Sequence, residues 1–137
     1  MNVIDTNVWI YRHDLRDAVK HQTAKQLINT TRPLGLPWQV GCEFIAASRK
    51  LEPFGFSQDD AWDALLDMQA IAAAILLPVP DLWSQPRANQ TKHGLSFWDA
   101  LLVATCARNG VVTLYTENMG APRVIDGLSL LNPFAKP

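Results

Sequence analysis

Short apolar runs alternate with stretches of helical periodicity along the whole chain. The runs that predict β-strands are apolar throughout, which is typical of a sheet covered on both faces. They are Asn2–Ile4, Leu36–Trp38, Ile75–Leu77, Val111–Tyr115 and Leu128–Leu131. Strands that alternate with helices through short links predict an α/β fold. We therefore expect a three-layer α/β/α domain around a central, mainly parallel sheet of short strands.

Four helices are predicted between these strands. The first spans about residues 17–30, the third begins at Ser57, a good N-cap, and the last ends at Asn109-Gly110, a typical stop signal. The second, third and fourth predicted helices present apolar residues at helical spacing. Their expected apolar faces are Val40, Phe44, Ala47 and Leu51; Trp62, Leu65 and Leu66; and Trp98, Leu101, Leu102, Thr105 and Cys106.

Length and composition narrow the class of protein. The 137 residues, 48% of them apolar, predict one domain, residues 1–137, that folds without disulfides. Cys42 and Cys106 are expected to be buried small hydrophobes, which indicates a cytoplasmic protein, and no signal peptide is visible. The most apolar stretch, residues 70–79, is too short to cross a bilayer, so no membrane partner is expected.

The net charge of −1 argues against a surface that holds nucleic acid by bulk electrostatics. A nucleic-acid substrate remains possible, because bound divalent ions invert the sign of an acidic pocket.

Acidic residues stand at the edges of several apolar segments. Asp5 directly follows the first predicted strand, Glu43 lies just inside a helix, and Asp99 lies in the first turn of the last helix. Thr116-Glu117-Asn118 follows the fourth predicted strand. Because the carboxyl ends of parallel strands gather at one edge of a sheet, we expect these side chains to meet there. Carboxylates without basic partners require a hard divalent cation, which points to metal-assisted phosphodiester hydrolysis.

Each acid also has a purely structural interpretation. Asp5 is a common type of helix N-cap, and Asp99 follows Ser96 at the spacing of a capping box. Glu43 has the pattern of a solvated helix charge, although Ala46 and Ala47 leave it without an ion-pair partner at the next turn. Their joint placement at three element ends favours a site.

Other candidate groups are weaker. Three histidines, at positions 13, 21 and 93, lack metal-ligand spacing and are expected at the surface. No nucleophile motif or glycine-rich phosphate loop is present. Large aromatic side chains are more often core than base-stacking platforms, and on this ground we expect burial of Trp38, Trp62, Trp83 and Trp98. The segment Trp83-Ser84-Gln85-Pro86 has the alternative of exposure at a partner surface.

The order of these motifs resembles a PIN domain. The resemblance is carried by Val3-Ile4-Asp5-Thr6-Asn7, Glu43, Leu95–Leu102, Leu114–Met119 and the ending from Val124 to Phe134, and it covers essentially the whole chain. Stand-alone bacterial PIN domains of this size are mostly VapC-type toxins. The resemblance thus implies a homodimeric endoribonuclease toxin that depends on Mg²⁺ or Mn²⁺. It also implies inhibition by a small cognate antitoxin protein.

The family's site carries over to specific residues. Asp5, Glu43 and Asp99 match its first three acidic positions, whereas the fourth, which usually ends a Thr/Ser-Glu-Asp triplet, is Asn118 here. The resemblance implies that Asp5 and Asp99 bind the metal, with Glu43 bound directly or through water. Thr116 and Asn7 are expected to orient carboxylates or waters. Glu117 competes with Asn118 for the fourth position, and motif alignment favours Asn118.

The expected chemistry is attack by a metal-activated water on an RNA phosphodiester in a single strand or loop. Two alternatives remain open. One is a PIN-like module that binds RNA or protein and has lost catalysis through Asn118. The other is phosphotransfer with Asp5 as nucleophile, which is disfavoured because Asn7 stands where a phosphatase has a second aspartate.

Overall fold

The computed structural model describes residues 1–78 and 83–136. Six short strands in this part of the chain form one sheet. The strands are β1 (Asn2–Ile4), β2 (Leu34–Pro37), β3 (Ala74–Leu76), β4 (Thr113–Tyr115), β5 (Arg123–Ile125) and β6 (Leu128–Leu131). Their order is β3-β2-β1-β4-β6-β5, and every pair is parallel except β5 with β6. The predicted mainly parallel α/β/α fold is confirmed.

Helices connect the strands. They are α1 (Thr6–Tyr11), α2 (Ala18–Thr30), α3 (Trp38–Ala47), a 3-10 helix (Ser48–Phe54), α4 (Gln58–Ile71), α5 (Ser84–His93) and α6 (Phe97–Arg108). Side-chain caps begin several of them: Asp17 starts α2, and Ser57 and Asp60 form a complete capping box at α4. The predicted start at Ser57 is therefore confirmed.

The chain reverses direction across the sheet at β1. It builds β2 and β3 on one side of β1 and then crosses to β4 and β6 on the other. Ile4 pairs with Tyr115, so the residues after these two strands emerge side by side. In doubly wound sheets a crevice opens at this reversal, outside the carboxyl ends of the strands. The reversal places Asp5 and Thr116 at the same point of that edge.

A continuous apolar core holds the layers together. Trp9 of α1 is 1% exposed, and its indole N–H donates to the carbonyl of Ile4 at 3.0 Å. Phe44 of α3 and Leu51 of the 3-10 helix are buried, as the predicted face required. The central strands contribute Val3, Ile4, Leu34, Leu36, Leu114, Leu128 and Leu130. Burial of a side chain of this size contributes about 1.5–3 kcal/mol, so this core dominates folding.

Strands β1 and β6 lie at their predicted positions, the bounds of β2, β3 and β4 differ from the predictions by one or two residues, and β5 was missed. Strand β5 is an edge strand that pairs only with β6 through a two-residue turn, Asp126-Gly127. Both turn residues have positive φ, 49° and 86°, as an Asp-Gly hairpin turn requires. The Asp-Gly dipeptide was the available signal, but the strand it closes is only three residues long.

The predicted apolar face of α4 is wrong. The side that packs on the core carries Ala61, Ala64 and Met68, whereas Trp62 and Leu66 are 50% and 63% exposed. Small residues at this spacing let the helix approach the sheet closely, so the large ones are left outside. The acidic residues of this helix, Asp59, Asp60, Asp63 and Asp67, are exposed to solvent.

All four tryptophans that were expected in the core lie on the surface instead. Their exposed fractions are 60% for Trp38, 50% for Trp62, 78% for Trp83 and 61% for Trp98. In the segment at Trp83, Trp83, Ser84 and Gln85 are exposed, as the alternative expected, whereas Pro86 is buried. In α6, Leu102, Thr105 and Cys106 are buried as predicted, but Ala100, Val103 and Ala104 take the place expected for Trp98. The size of an aromatic side chain therefore does not predict its burial, because the orientation of the helix decides which side faces the core.

The predictions for one cysteine and for the three histidines also need correction. Cys106 is buried as expected, but Cys42 is exposed. The histidines at positions 13, 21 and 93 are half-buried rather than at the surface. The ring of His13 stacks on Phe56 with centroids 4.6 Å apart, and burial lowers its pKa to about 4.

None of the helices in residues 1–78 and 83–136 is long and apolar enough to span a membrane. Residue 79, the end of the most apolar stretch, lies outside the described residues.

The corrected face of α4 is testable with two truncations on the same helix. Met68→Ala removes a side chain that is 1% exposed and should lower the free energy of unfolding by about 2–5 kcal/mol. Leu66→Ala removes an exposed side chain and should change it by less than about 0.5 kcal/mol. Urea unfolding measures both, and a larger loss for Leu66→Ala would restore the original face.

Candidate functional site

Asp5 is the centre of the candidate site. It directly follows β1, has extended backbone angles, and is the N-cap of α1. Its Oδ1 accepts a hydrogen bond from the Thr6 backbone N–H at 2.7 Å. Its Oδ2 accepts from the Thr116 hydroxyl at 2.8 Å and from the Asn7 amide at 3.4 Å. The capping role and the site role therefore coexist, because the two oxygens face different partners.

Burial makes the charge of Asp5 costly. The residue is only 5% exposed, and burial raises its pKa from 3.8 to about 6. The hydrogen bonds from Thr116 and Thr6 oppose this rise, while the nearby carboxylates of Glu43 and Asp99 add to it. Glu43 and Asp99 therefore lie near enough to Asp5 to raise its pKa, and their joint role as a site stays a prediction.

Glu43 is held by groups on two helices. Its Oε1 accepts from the Gln39 side-chain amide at 2.5 Å, and its Oε2 accepts from the Thr6 hydroxyl at 3.4 Å. The same Gln39 amide donates to the backbone carbonyl of Trp98 at 2.9 Å. Glu43 is therefore not a solvated helix charge. Gln39 ties it to the first turn of α6, which carries Asp99.

Gln39 is a site residue that sequence reasoning missed. It is 8% exposed, and its amide nitrogen lies between two acceptors, which fixes the orientation of the amide. Its Oε1 is left buried without a hydrogen-bond partner in the described structure. An amide at the position four residues before Glu43 was the available signal, since residues at that spacing are neighbours on a helix.

Asp99 lies in the first turn of α6, where its carboxylate suits the helix dipole. The Ser96 hydroxyl caps the helix by accepting from the Asp99 N–H at 3.3 Å. The reciprocal bond of a capping box is not formed, in contrast with Ser57 and Asp60. The carboxylate of Asp99 is therefore free of the structural role that its spacing suggested.

The three acids have no cationic partner in the described part of the chain. All four ion pairs there involve other carboxylates. The same residues contain no group of three acidic, histidine or cysteine side chains close enough to hold one metal ion together. Mg²⁺ takes one or two carboxylates and keeps several waters, so a set of oxygen donors of this kind suits it better than a closed cage would.

The turn after β4 meets this acid set through Thr116. The Thr116 hydroxyl, fully buried, donates to Asp5, and it accepts from the backbone N–H of Asn118 at 3.1 Å. The backbone N–H of Glu117 donates to the Asn7 side-chain oxygen at 3.4 Å. The turn is thus joined to Asp5 both directly and through Asn7, as expected for residues that orient a carboxylate.

Glu117 turns its own side chain away from the acid set. Its carboxylate accepts from the Tyr11 hydroxyl at 2.9 Å and from the Lys20 ammonium at 2.5 Å. It is therefore neither an exposed turn residue nor paired with Asp5. Asn118 is exposed, and its backbone lies one hydrogen bond from Thr116. Tyr11 and Lys20 were missed, because nothing local in the sequence links them to a residue about a hundred positions away.

Sequence comparison assigns the chain to a family. The PIN domain model matches residues 3–125, and the chain belongs to the PIN domain family. No curated protein matches the chain significantly.

Solved structures share the fold over nearly the full chain. A sarcin-ricin-loop-cleaving VapC toxin of Mycobacterium tuberculosis has a TM-score of 0.69 at 21% identity, over 88% of this chain and 92% of that one. A toxin–antitoxin complex from Klebsiella pneumoniae also has a TM-score of 0.69, at 19% identity and 98% coverage of both chains. FitAcB from Neisseria gonorrhoeae has a TM-score of 0.67 at 16% identity, over 97% and 98% of the two chains. The fold is therefore that of VapC structures.

The raised pKa of Asp5 predicts how stability depends on pH without metal. The folded chain holds the Asp5 proton more tightly than the unfolded chain, in which the pKa of this carboxyl group is near its ordinary value of 3.8. Stability is therefore lost as the pH rises from about 4 to about 6, by a total on the order of 2–3 kcal/mol. Asp5→Asn should remove this loss, so it should be the more stable protein at about pH 7.5 and lose its advantage towards about pH 4.

Urea unfolding in chelator at several pH values measures the effect. Asp63→Asn, on the exposed face of α4, is the matched control and should follow the wild type. Parallel pH profiles for the wild type and Asp5→Asn would show that burial does not perturb Asp5.

Proposed function

We propose that this chain is a divalent-cation-dependent endoribonuclease and the toxin of a toxin–antitoxin pair. Membership of the PIN domain family and the fold shared with VapC structures support this class of activity. One observation in the chain itself carries the proposal: a buried aspartate, repelled by two further carboxylates, lies at the carboxyl edge of a parallel sheet. Evolution rarely retains such a costly arrangement without a function that needs it.

Asp5 and Asp99 are the residues proposed to hold Mg²⁺ or Mn²⁺, with Glu43 as a direct or water-mediated ligand. When bound, a divalent ion supplies Lewis-acid chemistry, since it lowers the pKa of water and offsets charge that builds on a phosphodiester. Thr116 and Asn7 keep Oδ2 of Asp5 in one orientation. Gln39 keeps Glu43 next to the first turn of α6. Asn118 adds an amide, without charge, at the fourth position.

The proposed substrate is a single-stranded or looped RNA. A pocket at a sheet edge admits a flexible backbone with accessible bases more readily than a duplex. The VapC toxin of Mycobacterium tuberculosis cleaves a ribosomal RNA loop of this kind, the sarcin-ricin loop. A cation in the acid set would supply the attraction for phosphate that a net charge of −1 does not.

The proposed partners are a cognate antitoxin and a second copy of the chain, in the cytoplasm. The structural neighbour from Klebsiella pneumoniae is a toxin–antitoxin complex. The exposed tryptophans of this chain form the kind of apolar surface that a protein partner covers.

A second candidate function is binding without catalysis. It is favoured by the separation of the acids, because no three ligating side chains converge in residues 1–78 and 83–136. Phosphotransfer through Asp5 has no such support. Asn7, which stands where a phosphatase has a second aspartate, donates a hydrogen bond to Asp5 instead of supplying an acid.

Substitutions that remove one carboxylate distinguish the proposed nuclease from the proposed binding module. Asp5→Asn and Asp99→Asn should each lower Mn²⁺-dependent cleavage of a single-stranded RNA roughly 100-fold or more, because each removes a charged ligand. Neither should weaken the fold, since repulsion among carboxylates is relieved. Cleavage of a labelled oligonucleotide and thermal melting measure the two effects.

Asp63→Asn serves as the control for loss of one exposed carboxylate and should cleave like the wild type. Full activity in Asp5→Asn or Asp99→Asn would exclude the proposed ligands. An inactive wild type that still binds RNA would favour the binding module.

Asn118→Asp tests the fourth position. A further carboxylate next to the Thr116–Asp5 hydrogen bond should lower the melting temperature in chelator, because like charges repel. The same charge should enlarge the stabilisation by Mg²⁺, because ligand charge tunes affinity. Thermal melting with and without Mg²⁺ separates the two effects, and Asn29→Asp, exposed on α2, should enlarge no metal effect. If neither quantity changes, Asn118 does not occupy the fourth position.

A further inference from the structure

Four separate segments of the chain meet around the side chain of Glu117. The Lys20 ammonium lies 2.5 Å from Glu117 Oε2 and 3.2 Å from the Tyr11 hydroxyl. It also lies 4.9 Å from the centroid of the Tyr11 ring and 5.4 Å from that of Phe134. The two rings pack edge to face with centroids 5.0 Å apart. The end of α1, the first turn of α2, the turn after β4 and the C-terminal segment are thereby joined.

We propose that Lys20 and Glu117 are a positioning pair that holds the Thr116–Asn118 turn against Asp5. The inference rests on the proposed function, because it concerns the geometry of the same acid set. It adds residues that the motif does not contain. Lys20 lies on α2, far from every acidic motif in the sequence.

The first argument is the direct continuity of hydrogen bonds. The side chain of Glu117 is held by Lys20 and Tyr11, and its backbone N–H donates to Asn7, which donates to Asp5. Neighbouring Thr116 donates to the same oxygen of Asp5. The turn anchored at Glu117 thus supplies one donor to Oδ2 of Asp5, the Thr116 hydroxyl, and through its own N–H orients a second, the Asn7 amide of α1.

The second argument is the direction of the Glu117 charge. The acid set already contains three carboxylates without a cationic partner in the described part of the chain. Glu117 is adjacent in sequence to the residue that contacts Asp5, so its carboxylate is the next one available to that set. Lys20 pairs with it instead. The pair thereby limits the number of uncompensated charges at the site.

The pair is also protected better than an ordinary surface ion pair. The Lys20 and Glu117 side chains are 33% and 25% exposed, and two aromatic rings lie beside the ammonium. Exposed pairs contribute little because water screens them and their side chains stay mobile. Here a hydroxyl and two rings restrict both partners, so the pair holds one geometry.

A double substitution distinguishes an effect on the position of the Thr116–Asn118 turn from an effect on the net charge near the acids. Lys20→Met with Glu117→Gln removes one charge of each sign, so the net field at the acid set changes little. We expect the affinity for Mn²⁺, measured without RNA, to fall about tenfold or more, because groups that orient metal ligands carry effects of 10- to 100-fold. The kcat for RNA cleavage should fall by a similar factor, with KM within about twofold. Exchange of the Glu117 and Asn118 amide protons should quicken while the core strands stay protected.

The charge-swapped variant, Lys20→Glu with Glu117→Lys, should restore most of the Mn²⁺ affinity and amide protection. The matched control removes another opposite-charge pair, Arg49→Met with Glu52→Gln, which contacts none of the acids in the described structure. It should leave Mn²⁺ affinity, kcat and turn protection unchanged.

Wild-type Mn²⁺ affinity and turn protection in the double variant would overturn the proposal, and so would a charge-swapped variant no better than the double variant. Failure of the proposed function has a different signature. A wild-type chain that cleaves no RNA refutes the nuclease, while amide exchange of the turn still decides the role of the pair.

Discussion

The burial of Asp5 at the end of the central strand is the constraint on which the site depends. A carboxylate that is nearly inaccessible to water requires donors, and the fold supplies them from two directions. The first turn of α1 offers the Thr6 N–H, and the end of β4 offers the Thr116 hydroxyl. Both are in place because β1 and β4 are parallel neighbours with Ile4 paired to Tyr115. The sheet register therefore decides which hydrogen-bond donors reach the Asp5 carboxylate.

The hydrogen bonds around Asp5 do not cancel the cost of its charge. Its pKa remains raised, because burial and two neighbouring carboxylates outweigh the donors. Buried carboxylates in proteins are usually paired with a cationic side chain or a metal ion. The ion pairs of the described residues leave these three acids unpaired. A divalent ion would convert the repulsion into attraction, so the instability of the metal-free site and its proposed activity have the same origin.

Two polar residues outside the acidic motifs shape this environment. Gln39 connects Glu43 to the turn that carries Asp99, and Lys20 draws Glu117 away from the acids. Each contact spans elements that are distant in sequence. Gln39 leaves one buried oxygen without a partner, and an unpaired polar atom of this kind costs about 1–3 kcal/mol. Such a cost is tolerated where a fixed arrangement of charges matters more than maximal stability.

The fold class, most of the strands, the longer helices and the candidate acids were determined by the sequence itself, whereas α1, α5 and β5 were not anticipated. Apolar runs and helical periodicity are local properties, and Asp5 at the end of an apolar strand already indicates the edge of a parallel sheet. The rotation of α4 and α6 was decided only by tertiary packing. There, the sides that carry Ala61 and Met68 in α4 and Leu102 and Val103 in α6 are buried and the tryptophans stay outside, because a helix turns only one side towards the core. The partners of Glu43 and Glu117 were likewise decided only in the folded chain, because a side chain's hydrogen bonds depend on which distant elements the topology brings within about 3 Å.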